Sequence, residues 1–372
     1  MTCRACGAAT LHRALDLGAV PAADYFPPAE QPVHADESTH PLAMDLCGTC
    51  GLAQLADDDT VTEEPRGVEP QALKDQARDA VARVAASGWL TGETVREFGS
   101  PHGGSWLELL EQCDVTTDRT TADSGQLVAS ADIVLDCFGI MHEPDQRAAF
   151  AARAEATARG GVLLLQYHSL AAIVEQGQWN ALRHGHFAYY SLPALQRLLA
   201  DAGMRAATAW QFDLYGGTTL VAAVHADDPR PTEAVIEQMC ADDAAMTEPA
   251  TVAQLQAAAD GQAAALRSYL ERQSASGLRV FAYGAASRAV ALFALAGLDH
   301  RLVGAVADAS AAKQGRRMPG TDISIISPDE LVAAGPDRVV LTLSDLLPEV
   351  SARLPALAGR WVTDDWIATP TG

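Results

Sequence analysis

Two sets of side chains in this sequence are spaced for chemistry. The first is four cysteines in two pairs, Cys3-x-x-Cys6 and Cys47-x-x-Cys50. Thiolates at that spacing supply a tetrahedral zinc site, and a closed set of four leaves no position for a reacting water. In a reducing compartment the reading is a structural zinc held by Cys3, Cys6, Cys47 and Cys50; two redox dithiols are the alternative. The second set is the stretch 183–191, Arg-His-Gly-His-Phe-Ala-Tyr-Tyr-Ser. It gathers a cation (Arg183), two imidazoles (His184, His186), two phenols (Tyr189, Tyr190) and a hydroxyl (Ser191). Imidazoles titrate near neutrality and suit general acid–base work. Two other readings stay open here: a His-x-His pair of metal ligands, with no third ligand obvious nearby, or ordinary hydrogen-bonded loop histidines.

The neighbouring elements must position these groups. Gly185 between the histidines predicts irregular backbone, and Leu192–Ala202 reads as an amphipathic helix with Ser191 as its N-cap. The polar cluster would then stand at a loop-to-helix junction. Upstream, Thr94–Glu97 predicts a strand, followed by a glycine-rich turn through Gly99, Gly103 and Gly104 and a helical run Trp106–Glu111. Strand, turn and helix open a nucleotide-binding α/β unit. Asp114–Asp118 predicts the second strand, with Asp118 about 20 residues on, where a ribose is commonly gripped. Ala131–Phe138 and Gly161–Tyr167 read as buried strands, separated by a loop carrying His142 and a helix Gln146–Arg159. A hairpin-like end spans 206–225. Further on, a helix at 252–275 leads into a strand ending at Tyr283, the turn Gly284-Ala-Ala-Ser287 and a helix, with more strands at 302–307 and 338–343. The class is α/β, with sheets flanked by helices. The expected units are a zinc-binding module (1–60), a Rossmann domain (69–225) and a smaller Rossmann-like substrate-binding domain (250–372), with a linker at 57–68. The first is too small for a large core, so bound metal should supply much of its folding free energy.

Forty-eight acidic against 26 basic side chains give a net charge of −22. That balance repels phosphate backbones and argues against nucleic acid as a partner, although a locally positive pocket can still take a nucleotide. The start, Met-Thr-Cys-Arg-Ala-Cys, lacks the pattern of a signal peptide, and the longest apolar run, Ala289–Ala296, is too short to span a bilayer. The expectation is a cytoplasmic protein, monomeric or weakly self-associating, with a small-molecule substrate and no membrane contact.

In order along the chain, these motifs resemble the sugar C-methyltransferases of actinobacterial antibiotic pathways, which act on nucleotide-activated deoxysugars (3-C-methyltransferases). The resemblance rests on the cysteine knuckles with Leu17-Gly18-x-x-Pro21-x-Ala23, on Glu97-Phe-Gly99-Ser100, and on Met141-His142-Glu-Pro-Asp145. The most distinctive matches are Tyr283-Gly-Ala-Ala-Ser-Arg288 and Asp308 with Lys313-Gln-Gly315-Arg and Pro319-Gly320. It implies a class I methyltransferase fold, S-adenosylmethionine as cofactor beside the structural zinc, and C-methylation of a keto-deoxysugar through a base-generated enolate. His186 is then the base, and His142 or Tyr189 the donor to the enolate oxygen. Glu97, Gly99, Gly103 and Asp118 would bind the cofactor; Arg183, Tyr283, Arg288 and Lys313 would bind substrate. The sequence departs from the family in three places. The central Tyr-His-Glu-His reads Arg183-His184-Gly185-His186, the Gly-Gly-Ser motif reads Gly216-Gly217-Thr218, and Arg119–Ser130 is short for a helix and a third strand. These departures keep two alternatives in view: proton-transfer chemistry (epimerisation or elimination) without methyl transfer, and a non-catalytic binding subunit.

Overall fold

The computed structural model describes the chain apart from residues 24, 35–36, 38, 59, 61–68, 101–103, 112–129 and 364–372. The expectations for Gly103, for a second strand ending at Asp118, and for the short segment after it therefore lie outside the described residues.

The N-terminal region forms strands β1 (Leu11–Pro21), β2 (Thr39–Cys47) and β3 (Ala53–Leu55). The middle region adds β4 (Val95–Phe98), β5 (Ala131–Cys137), β6 (Thr157–His168), β7 (Ala188–Tyr189), β8 (Met204–Phe212) and β9 (Thr218–His225). The C-terminal region adds β10 (Val280–Tyr283), β11 (Val306–Ala307), β12 (Ile325–Ile326), β13 (Arg338–Leu341) and β14 (Trp361–Val362). They assemble into three sheets, ordered β1-β2-β3-β7, β4-β5-β6-β9-β8 and β12-β11-β10-β13-β14. In the middle sheet β4, β5 and β6 are parallel, and β9 runs antiparallel to both its neighbours. The C-terminal sheet is parallel throughout. The α/β class is as the sequence implies.

Side-chain alternation along each strand decides what each sheet face meets. Ile133, Leu135, Val162, Leu164 and Leu220 pack beneath α1 (Gln71–Ala86) and α2 (Leu107–Glu111). The opposite face, with Val134, Leu163, Leu165 and Val221, packs against α3 (Gln146–Ala156) and α4 (Leu192–Asp201). Ser191 caps α4 through Ala194 N–H, as its sequence position suggests.

The N-terminal sheet does not stand alone. Leu15, Leu17, Met44, Leu46 and Leu55 share one core with β10 and the helices Gln254–Ala275 and Ser287–Leu295. Cys3, Cys47, Cys50 and Leu52 share another with the middle sheet. The module is thus wedged between the two Rossmann-like units, and neighbours supply the apolar partners that 60 residues could not. No helix among the described residues is long and apolar enough to cross a membrane.

Candidate active site and metal centre

The cysteine pairs fold into matching knuckles. In the first, Gly7 N–H donates to Cys3 O and Cys3 N–H to Ala8 O, at 2.9 and 2.8 Å. In the second, Gly51 N–H donates to Cys47 O and Cys47 N–H to Leu52 O, both at 2.9 Å. Gly7 and Gly51 have φ of 74° and 78°, a conformation that side chains strain. The four sulfurs lie within 4.8 Å of one another, with Cys3–Cys50 at 3.5 Å and Cys6–Cys47 at 3.6 Å. Sulfurs around a tetrahedral zinc with bonds of about 2.3 Å stand ~3.8 Å apart, so the donor set fits that ion and closes around it.

From the second knuckle the chain runs directly into β3, which pairs with β7: Ala53 lies opposite Tyr189 and Gln54 opposite Ala188. The chemistry-bearing stretch is therefore the fourth strand of the zinc sheet. Leu55 N–H donates to Phe187 O at 3.2 Å, and Gly185 N–H to an Asp58 carboxylate oxygen at 2.7 Å. Arg4, inside the first knuckle, donates to Leu55 O and to Pro144 O at 3.2 and 3.3 Å. Its guanidinium stands 4.7 Å from the Phe187 ring centroid. Residues 57 and 58 are thus not a free linker, since Asp58 anchors the turn between the two histidines.

Those histidines meet different neighbours. His184 Nε2 donates to Pro41 O at 3.2 Å in the zinc sheet. His186 meets His142, with ring centroids 4.2 Å apart and planes at 74°. Arg183 Nε donates to His186 Nε2 at 2.7 Å, which engages that nitrogen's lone pair. His142 Nδ1 lies 2.9 Å from Gly185 O. A carbonyl only accepts, so the His142 proton sits on Nδ1. Burial, then the nearby Arg183 charge, lower the His142 pKa to about 4 despite that hydrogen bond, and the ring is neutral at pH 7.

The loop carrying His142 is fixed by groups the sequence reading did not single out. Asp136, fully buried at the end of β5, accepts from Gly139 and Ile140 N–H at 2.8 and 2.9 Å, and from Arg153 Nε at 2.8 Å. Burial raises its pKa, opposed by the Arg153 charge and these donors. Gln146 Nε2 donates to Ile140 O and Glu143 O, and Gln146 Oε1 accepts from the Tyr190 hydroxyl.

Three expected ligand-facing groups are committed elsewhere. The buried Tyr189 hydroxyl donates to Ala181 O and accepts from Arg183 N–H, at 3.1 and 3.2 Å, so it positions Arg183 instead of offering a proton. Tyr283 alternates away from the junction into the C-terminal core, edge-on to Trp361. Lys313 is buried; its ammonium donates to Ala285 O at 2.7 Å and stands over the Phe26 ring, so it braces the 284–287 turn from behind. Arg288 differs. It opens the helix Ser287–Leu295, its guanidinium lies 5.5 Å from the Tyr215 ring centroid, and no carboxylate among the described residues is within ion-pair distance. Burial and the Arg183 charge lower its pKa to about 10, against the pull of Tyr215 and Asp345.

Residues 213–363 match the family described as "C-methyltransferase C-terminal domain", and residues 3–63 the one described as "Putative zinc binding domain". The C-methyltransferase NovU of Streptomyces niveus is 26% identical over 384 residues, covering 94% of this chain and 90% of that protein. The chain thus joins a zinc-binding domain to a C-methyltransferase C-terminal domain. Among solved structures, magnesium protoporphyrin IX methyltransferase from Synechocystis, with bound SAH, is 16% identical over 41% of this chain and 84% of its own (TM-score 0.30). The mitomycin 7-O-methyltransferase MmcR is 15% identical over 41% of this chain and 55% of its own (TM-score 0.31).

The Glu97 carboxylate, its pKa raised by burial, accepts from Ser105 Oγ and Trp106 N–H at 2.6 and 2.8 Å and so holds the entry to α2. A Cβ at Gly139 would lie 2.8 Å from Gly99 O, whereas one at Gly99 would meet nothing within 4 Å among the described residues. Gly139 thus packs tightly against the backbone at Gly99.

Two buried imidazoles of the C-methyltransferase predict its acid sensitivity. Burial foremost, then positive neighbours, lower His142 to about 4 and His168 to about 3. Unfolded histidine titrates near 6.5, so between these values the unfolded chain binds more protons and stability is lost as the pH is lowered. The urea midpoint is expected to drop between pH 6.5 and 4.5 and to change little from these groups above pH 7. His168→Gln should flatten the slope; an unchanged slope would mean that His168 titrates normally.

Proposed function

We propose that this C-methyltransferase transfers a methyl group to the carbon beside the ketone of a nucleotide-activated deoxysugar, by way of an enolate. The observation that carries the reading is the imidazole pair His142–His186 with Arg183 bonded to it, and, within reach of the Arg183 charge, Arg288, which has no carboxylate partner among the described residues. The kinship with C-methyltransferase NovU and the resemblance in the 141–145 and 283–320 motifs support it. Bound S-adenosylmethionine supplies the electrophilic methyl group. Glu97, Gly99 and the backbone of the turn would hold it, with Gly103 and Asp118 assigned by sequence position alone.

The remaining work falls to this chain's own side chains. His186 takes the proton from the carbon next to the ketone, and the C–H electron pair moves toward the carbonyl oxygen. In the ligand-free arrangement Arg183 holds the Nε2 lone pair. A diphosphate competes for the same guanidinium, bidentately and with more charge than an imidazole, so substrate arrival frees the base. Neither expected enolate donor offers its proton: Tyr189 gives it to Ala181 O and His142 gives Nδ1–H to Gly185 O. The developing charge is instead stabilised by the field of Arg183 and Arg288.

The test is transfer of labelled methyl from S-adenosylmethionine to a nucleoside-diphosphate keto-deoxysugar, together with solvent-deuterium exchange at the carbon beside the ketone. Exchange without transfer would favour proton-transfer chemistry alone, and neither would end the reading. Arg288→Gln is expected to raise KM for the nucleotide sugar roughly 10- to 100-fold, as loss of charge-assisted hydrogen bonds does, with a smaller effect on kcat. An unchanged KM would remove Arg288 from the diphosphate site.

A further inference from the structure

The middle sheet carries, on the face turned to α1, a row of polar side chains with buried atoms that find no hydrogen-bond partner among the described residues. Thr218 stands directly opposite His168 where β9 pairs with β6, and Gln166 lies two residues back along β6, opposite Leu220. Alternation puts all three on the face of Leu164, Leu220 and Ala222, which pack beneath α1. Gln166 is 0% exposed, Thr218 1% and His168 6%. Yet neither amide atom of Gln166, nor His168 Nε2, nor Thr218 Oγ1 has a hydrogen-bond partner among the described residues. Gln76, on the covering helix α1, is also buried, and neither of its amide atoms has a partner among the described residues.

Native interiors seldom tolerate one such atom, because its lost hydration goes uncompensated. Here they gather on two adjacent strands, on rigid backbone, at the end of β6 that leads to the imidazole pair. The surroundings of His168 include Tyr215, Arg288 and Arg183. The set is uncharged, combining amides and a hydroxyl with an imidazole that burial keeps neutral. Anionic groups would go to the guanidiniums beside it. What suits neutral donors and acceptors is hydroxyl and carbonyl oxygen.

We propose that Gln166, His168 and Thr218, together with Gln76 of the covering helix, form an uncharged subsite for the oxygen substituents of the acceptor's sugar ring. It rests on the reading of that acceptor as a nucleotide sugar, and it divides the ligand: diphosphate to the arginines, ring oxygens to this row. It also makes these residues a stability cost in the empty protein that the ligand relieves.

The test is calorimetric titration of the full-length, metal-loaded protein with UDP, TDP, UDP-glucose and TDP-glucose. Wild type is compared with Thr218→Val and Gln166→Leu, and each protein is also melted without ligand. The expected result is that wild type binds a sugar nucleotide more tightly than its bare diphosphate. Each variant should lose about fivefold or more for the sugar nucleotide, keep its affinity for the diphosphate, and melt no lower than wild type. Variants that keep the full sugar increment, or that melt lower and weaken sugar nucleotide and diphosphate alike, would make the row structural and overturn the subsite alone. Wild type that binds none of the four probes would overturn the nucleotide-sugar reading and the subsite with it.

Discussion

His186→Ala is expected to lower kcat about 10²- to 10⁴-fold, the range for losing a general base. His184→Ala should cost far less. The two imidazoles are equivalent in the sequence and not in the structure. His184 is tied to Pro41 O in the zinc sheet, whereas His186 packs on His142 and takes its hydrogen bond from Arg183. Solvent exchange of the substrate's acidic C–H isolates deprotonation from methyl transfer and should fall in parallel with kcat. Zinc content and circular dichroism should stay as in wild type, because the β3–β7 hydrogen bonds belong to the backbone. If His186→Ala exchanges at the wild-type rate while His142→Ala does not, the base is His142. That outcome would require the protein to raise a group whose pKa burial holds near 4.

The second large effect is that of metal removal. Chelation, or Cys47→Ser, is expected to cost the N-terminal sheet its fold, since apparent zinc affinities of about 10–16 kcal/mol for such sites rival the whole stability of a domain. The damage should not stop at the knuckles. β7 is hydrogen-bonded to β3, Gly185 to Asp58, and Arg4 spans from the first knuckle to Pro144 and Phe187. Hydrogen exchange should therefore rise at 185–189 as well as at 3–7 and 47–51 when zinc is stripped. Metal-free protein with unchanged protection at 185–189 would show that the sheet is held by its apolar packing alone.

What could be read in advance followed from local signals. Two Cys-x-x-Cys pairs specify their chemistry by spacing, and Ser191 before an amphipathic run specifies a cap. The strand–turn–helix starts at Glu97 and Tyr283 were legible because apolar runs and glycines punctuate them. The pairing of β3 with β7 was not, because a two-residue strand has no periodicity and its partner is remote in sequence. Residue type also misled wherever the facing direction decides the role. Tyr283 and Lys313 sit in motifs that look ligand-facing, yet one alternates into the C-terminal core and the other braces a turn. Asp136 was the reverse case: a carboxylate in an apolar strand signals a buried partner, but nothing in the sequence says that Arg153 supplies it.

The sheet order β1-β2-β3-β7 also sets a timetable for biosynthesis. A ribosome completes both cysteine knuckles early, so the nascent chain can load metal long before its sheet is whole. The edge of β3 then waits for residues 188 and 189, some 135 positions later. At 5–20 residues per second, that leaves an open strand edge exposed for about 7–27 s. Such an edge invites pairing with the wrong chain. β3 is only three residues long, and its brevity limits that hazard while the catalytic stretch is still being made.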